Sequence, residues 1–325
     1  MSTDTSGASA RKVTLDDVHA LCDRYRNWGK WGPDDQLGTL NYIEPEMVVA
    51  AAGLVRQGKI ISCALPYDGN GPQNGWGGRV NPLHFMLQDG GDAAIGAQDH
   101  MARLRYADDA IYMPLQSGTQ WDALSHVFYD GKMYNGYGQE HVSSTGAEKN
   151  AIHLMTEKVV GRGVLLDIPR HRGVPWLEPG QGIDSAELAA CAESQGVTVG
   201  RGDFVLVRTG HMAMCREQGA WGGYAAGDAP GLTLDSAHWI CGNEIAGVAT
   251  DTWGMEVRPN ELEEIFQPVH IVLLVNAGLL IGEIFDLEKL AEDCAGDGVY
   301  EFMFAAGPLP FTKAVGSPLN PMAIK

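Results

Sequence analysis

The sequence has little positive charge for its length. Its 23 Lys and Arg stand against 41 Asp and Glu, a formal net charge of −18 over 325 residues. That balance argues against a nucleic-acid partner, whose phosphates need Lys and Arg, and against an anionic membrane surface. No apolar run is long enough to span a bilayer. The opening residues, rich in Ser, Thr, Gly and Ala, lack the apolar centre of a signal peptide. The expectation is a cytoplasmic protein with a disordered segment over residues 1–12 and one folded domain over 13–325. The six cysteines are scattered and form no CxxC pair, which leaves them as small buried hydrophobes rather than a zinc finger or a redox dithiol. Dinucleotide and P-loop glycine signatures are missing, and so are HExxH and GxSxG, so nucleotide binding and two common hydrolase designs have no support. There is no internal repeat.

What is present is a folded composition, 45% hydrophobic and 20% charged. The chain is organised around Gln116-Ser117-Gly118-Thr119-Gln120-Trp121-Asp122-Ala123-Leu124-Ser125-His126. An apolar lead-in, residues 110–115, reads as a strand, and Gly118 reads as a break where unusual backbone angles are allowed. Gln120 and Asp122, two apart, share a face of an extended segment. His126 joins them if a helix begins after Asp122. An oxygen donor, a carboxylate and an imidazole then converge on a metal or acid–base site. The same spacing also fits a buried turn in which Asp122 caps a helix and His126 is a satisfied core histidine.

Around this stretch the patterns alternate between helix and strand. Thr14 and Asp17 make a capping box for a first helix, and Pro45 opens a second that runs to Gly58. Asp130-Gly131 lies between apolar–aromatic flanks as a hairpin turn. Residues 59–65, 161–168, 203–208, 245–251 and 300–304 read as strands, and 184–196 and 286–296 as helices. The segment from Asp68 to Gly78 and the Asp89-Gly90-Gly91-Asp92 stretch read as loops. His211, at the end of the 203–208 strand, is a secondary candidate, because chemistry often sits where a strand gives way to a loop. His270 and Glu283 stand at the edges of strongly apolar sequence, where an unpartnered polar group is costly. Interleaved elements favour one α/β domain. Two carboxylates and two imidazoles in one cleft suit a divalent cation that activates water against an amide or lactam. Trp76, Phe85, Trp121, Phe128 and Tyr134 are candidate walls of an aromatic substrate pocket.

The central stretch resembles the metal-binding motif of the cyclase superfamily, H-x-G-T-H-x-D-x-x-x-H, a family that includes bacterial kynurenine formamidase and isatin hydrolase. Gly118, Thr119, Asp122 and His126 are in register, while Gln116 and Gln120 stand where the family has its first two histidines. The block from His270 through Leu273-Leu274 to Glu283 resembles the second ligand cluster. The 203–210 segment and Gly316-Ser317-Pro318 resemble further landmarks. The resemblance implies a swivelling β/β/α fold, dimeric or tetrameric, whose divalent metal, Zn²⁺ or Mn²⁺, serves hydrolysis of C–N bonds in amides or cyclic amides. It implies Asp122, His270 and Glu283 as ligands with Gln120 near or on the metal, and His126 and Glu283 as the catalytic pair. Because glutamine is a weak neutral ligand, the expectation is a single metal per chain. Two other readings are a metal-free binding relative and a cyclase or dehydratase.

Overall fold

Nine strands form one mixed sheet in the computed structural model, which describes residues 12–325. Most of the disordered segment expected over 1–12 lies outside the described residues. We number the sheet strands β1 (Ile60–Ser62), β2 (Gln120–Asp122), β3 (Val160–Asp167), β4 (Phe204–Arg208), β5 (Gly247–Thr250), β6 (Leu280–Glu283), β7 (Glu301–Ala305), β8 (Gly316–Pro318) and β9 (Met322–Ile324). Their spatial order is β1-β9-β7-β3-β4-β5-β6-β2-β8. The middle four, β3 to β6, are parallel, and antiparallel pairs flank them on both sides. Buried on both faces, the parallel strands read as continuous apolar runs such as Phe204-Val205-Leu206-Val207, every residue of which is buried. The fold is α/β, as the alternating patterns predict.

The local signals held where the chemistry is local. Thr14 and Asp17 form a reciprocal capping box at the start of the Leu15–Tyr25 helix. Asp184 caps the Ser185–Ser194 helix through the Glu187 N–H. Asp130 and Gly131 both adopt positive φ, at 48° and 72°, and close a turn between the paired residues Tyr129 and Lys132.

Three expectations needed correcting. The helix from Pro45 stops at Ala52 rather than near Gly58, with Gly53 at the C-cap donating its N–H back to the Val49 and Ala50 carbonyls. Asp89-Gly90-Gly91-Asp92 is a capped helical turn, Gly90–Ala94, in which the Asp89 side chain accepts from the Gly91 and Asp92 N–H groups. The lead-in strand runs from Asp108 to Tyr112. It pairs with Leu83–Gln88 as an exposed two-stranded ribbon outside the main sheet. No helix among the described residues is long and apolar enough to cross a membrane.

Candidate metal centre

The ligand strand β2 lies between β6 and β8, and its register decides which side chains meet. Gln120 stands directly opposite Glu283, and Trp121 opposite Gly282. With a side-chain period of two, Gln120, Asp122 and Glu283 share one side and Trp121 points to the other. On the far edge of β2, Gly316, Ser317 and Pro318 pair with Asp122, Trp121 and Gln120. Pro318 lacks a donor and ends the sheet there. Gly118 does not adopt the positive φ expected of it; space requires it instead. A Cβ there would lie 2.7 Å from the Tyr67 ring. The Tyr67 hydroxyl ties the neighbouring segments together, donating to the Thr119 carbonyl and accepting from the Leu319 N–H.

His270 reaches the same point from elsewhere. It ends a short helix, Pro268–His270, that continues as a seven-residue π-helix, Ile271–Ala277, an irregularity common at functional sites. The carboxylate of Glu256 holds this helix start. It accepts from the backbone N–H groups of Val269 (3.0 Å) and His270 (2.9 Å) and from His270 Nδ1 (2.6 Å). Only a donor satisfies an ionised carboxylate, so Nδ1 carries the proton and the imidazole orientation is fixed. Nε2 then faces Glu283 Oε1 at 3.2 Å. Two acceptors at that distance require a shared proton or a cation between them.

Asp122, His270 and Glu283 each offer a ligand atom, and these atoms lie within 4.8 Å of one another, all three residues buried. Burial pushes the Asp122 carboxyl up to about 6, against the lowering pull of His126. Burial works against a charged His270. The hydrogen bonds to Glu256 and Glu283 outweigh it and raise the imidazole to about 10, so the pocket demands a positive charge at this point. Gln120 supplies only a neutral donor there. Its amide NH₂ donates to Glu283 Oε2 at 2.8 Å and lies 3.4 Å from Asp122 Oδ1, while its own oxygen is buried without a partner. Turned over, the amide would aim its oxygen at two carboxylates, an arrangement that only an intervening cation stabilises. The donor set, two carboxylates and one imidazole with an idle amide oxygen, therefore fits a divalent cation.

His126 arrives by a different route from the one expected. No helix follows Asp122, and neither does a cap. A turn closes with the His126 N–H donating to the Ala123 carbonyl at 2.9 Å. This places His126 Nε2 3.8 Å from Asp122 Oδ1 with the side chain 22% exposed, a partly open imidazole beside a buried triad. His211 is not part of the cluster. It starts the His211–Gln218 helix, burial pushes its imidazole down to about 4, and its ring lies 4.9 Å from that of Tyr224.

Trp121 and Tyr134 are not pocket walls. Both are fully buried. The Trp121 indole packs among Phe204, Phe285 and Phe304, and the Tyr134 hydroxyl donates to Asp35. Phe85 projects from the outer ribbon, and Phe128 is exposed two residues beyond His126. Trp76 instead meets Trp253, edge to face at 5.0 Å, and Phe266, stacked at 6.1 Å. Neither partner was singled out from the sequence. Glu256 was missed as well, although its place in the segment after β5 was a usable signal.

A family model, Cyclase, matches residues 41–257. The chain belongs to the cyclase family. Among solved structures, a novel cyclase is 41% identical, with 94% of this chain and 99% of that chain covered and a TM-score of 0.85. Isatin hydrolase A from Labrenzia aggregata, bound to benzyl benzoate, is 20% identical, covering 86% and 97% at a TM-score of 0.60. A predicted metal-dependent hydrolase from Bacillus stearothermophilus is 18% identical, covering 82% and 97% at a TM-score of 0.51. At those last two identities the likeness is one of fold. No curated protein matches this cyclase.

Proposed function

We propose that this member of the cyclase family is a metal-dependent hydrolase that opens the C–N bond of a small amide or cyclic amide. The observation that carries the reading is His270, whose Nδ1 is committed to Glu256 while Nε2 faces Glu283 at 3.2 Å beside Asp122. The shared fold of isatin hydrolases, whose name gives a cyclic amide as substrate, supports the choice of reaction. Asp122, His270 and Glu283 hold the cation, with Gln120 against both carboxylates. When bound, Zn²⁺ or Mn²⁺ makes water more acidic and polarises a carbonyl oxygen.

The chain's own contribution is proton transfer. His126 Nε2 takes a proton from the attacking water and returns it to the leaving nitrogen. A C–O bond forms, the C–N bond breaks, and the products are a carboxylate and an amine. Asp122 orients the imidazole through their opposite charges as it becomes protonated, and Glu283 steadies the same pole. His126→Ala should keep its metal and lose about 10²–10⁴-fold in turnover of a cyclic amide such as isatin. Full activity in that variant removes His126 from the mechanism, and a wild type that leaves amides and lactams intact overturns the reaction class.

A further inference from the structure

Five described arginines are half-buried or buried: Arg79, Arg162, Arg172, Arg208 and Arg258. Three of them form ion pairs, Arg162 with Asp203 and Glu301, Arg172 with Glu187, and Arg208 with Asp167 and Glu288. Arg79 and Arg258 form none, in a chain with 41 acidic residues to choose from. Arg258 Nη1 is in addition buried without a hydrogen-bond partner. A buried guanidinium N–H left unpaired is costly unless something else completes it.

The two arginines belong to one cluster. The Arg79 guanidinium lies over the Trp253 ring at 5.1 Å and near the Trp76 ring at 5.8 Å, and that of Arg258 lies over Phe266 at 5.0 Å. Trp76 touches both Trp253 and Phe266, so three rings and two cations are contiguous. The cluster also adjoins the metal triad. Glu256 and Arg258 are two apart in a segment bridged to Leu232 and Ala229, and Glu256 is the residue that holds His270. Phe266 precedes His270 by one helical turn of sequence. The Trp253 indole reaches Gln73 at 3.4 Å, and the Gln73 amide donates to the Ser117 carbonyl at 2.9 Å, within the ligand motif itself.

We propose that Arg79 and Arg258 form an anion-binding subsite beside the metal triad, so that the substrate is an amide carrying a carboxylate on a flat, aromatic body. A guanidinium stacked on a ring keeps its N–H edge free for a carboxylate. The Trp76, Trp253 and Phe266 rings supply the apolar wall for the body. The subsite rests on the hydrolase reading only in calling its ligand a substrate.

The test is calorimetric titration of the purified full-length protein with 4-acetamidobenzoate and with its uncharged counterpart acetanilide. The wild type should bind the anion about tenfold tighter or more, the size of a charge-assisted hydrogen bond. Arg79→Met and Arg258→Met should each bring the two affinities close together with metal content unchanged, and Arg79→Lys should keep most of the preference. A wild type without preference overturns the proposal. So does a preference that survives in both Met variants, because the carboxylate is then held by the metal or elsewhere. If Arg258→Met does not fold, Arg79→Met decides. An arginine-dependent preference in a protein that cleaves neither compound supports the subsite and counts against the hydrolase. Cleavage of acetanilide with no preference does the reverse.

Discussion

Glu256 and His270 show how a site depends on a residue with no motif of its own. Asp122, His270 and Glu283 were legible because each sits in a recognisable pattern, and the structure brings all three together. Glu256 acts across fourteen positions of sequence by accepting three N–H groups at the start of the His270 helix, a pairing that only the fold brings about. Glu256→Gln keeps the size but offers one acceptor oxygen in place of two, so the Nδ1 bond weakens and the imidazole loses its fixed orientation. Metal affinity should fall about 10–100-fold, measured by competition with a chelating dye; an unchanged affinity would make Glu256 a helix cap and nothing more. Trp121 teaches the converse. It is adjacent to a ligand in sequence, yet the strand period places it on the opposite side, a conclusion the pattern already contained once β2 was read as extended.

At the scale of elements, one glycine sets how closely β2 and β6 approach. A Cβ on Gly282 would meet the Trp121 ring at 2.5 Å and the Ala249 side chain at 2.6 Å, so the Trp121 indole occupies the space the glycine leaves. Gly282→Ala should cost about 1–3 kcal/mol of stability through overpacking and displace the adjacent Glu283, lowering metal affinity in the same variant. Denaturant midpoints and metal titration on one sample check both; wild-type values for each would show that the strands yield without cost. Although β6 was merged into the apolar stretch after His270, the strands β3, β4 and β5 were readable because each is a short apolar run. Which strand neighbours which was not, since the order β5-β6-β2-β8 joins segments far apart in sequence. The turn that delivers His126 was also hidden, because its geometry follows from the pairing of β2 with its neighbours on both edges.

At the scale of the molecule, the Leu83–Gln88 and Asp108–Tyr112 ribbon is the least protected element. Leu83, Phe85, Met86, Leu87, Ile111 and Tyr112 are each at least 46% exposed, and consecutive exposure at 85, 86 and 87 means that both faces of the ribbon are apolar. An isolated hairpin of that kind is marginal in water. Six such side chains approach the roughly 800 Å² that one partner contributes to a stable interface. We propose that a second copy covers it, as expected of a homodimer or homotetramer. Light scattering should give a mass above that of one chain, and Phe85→Asp with Met86→Asp should give the monomer; a monomeric wild type contradicts this. The charge deficit noted first bears on the same scale: with so few cations, the two half-buried arginines that form no ion pair become informative. The central claim, a cation held by Asp122, His270 and Glu283, is tested most directly by elemental analysis of the purified protein. The account predicts about one zinc or manganese per chain, lost on Asp122→Ala. About two would mean that Gln116 and Gln120 do not remove a second position, and no metal after incubation with excess Zn²⁺ or Mn²⁺ would contradict the account.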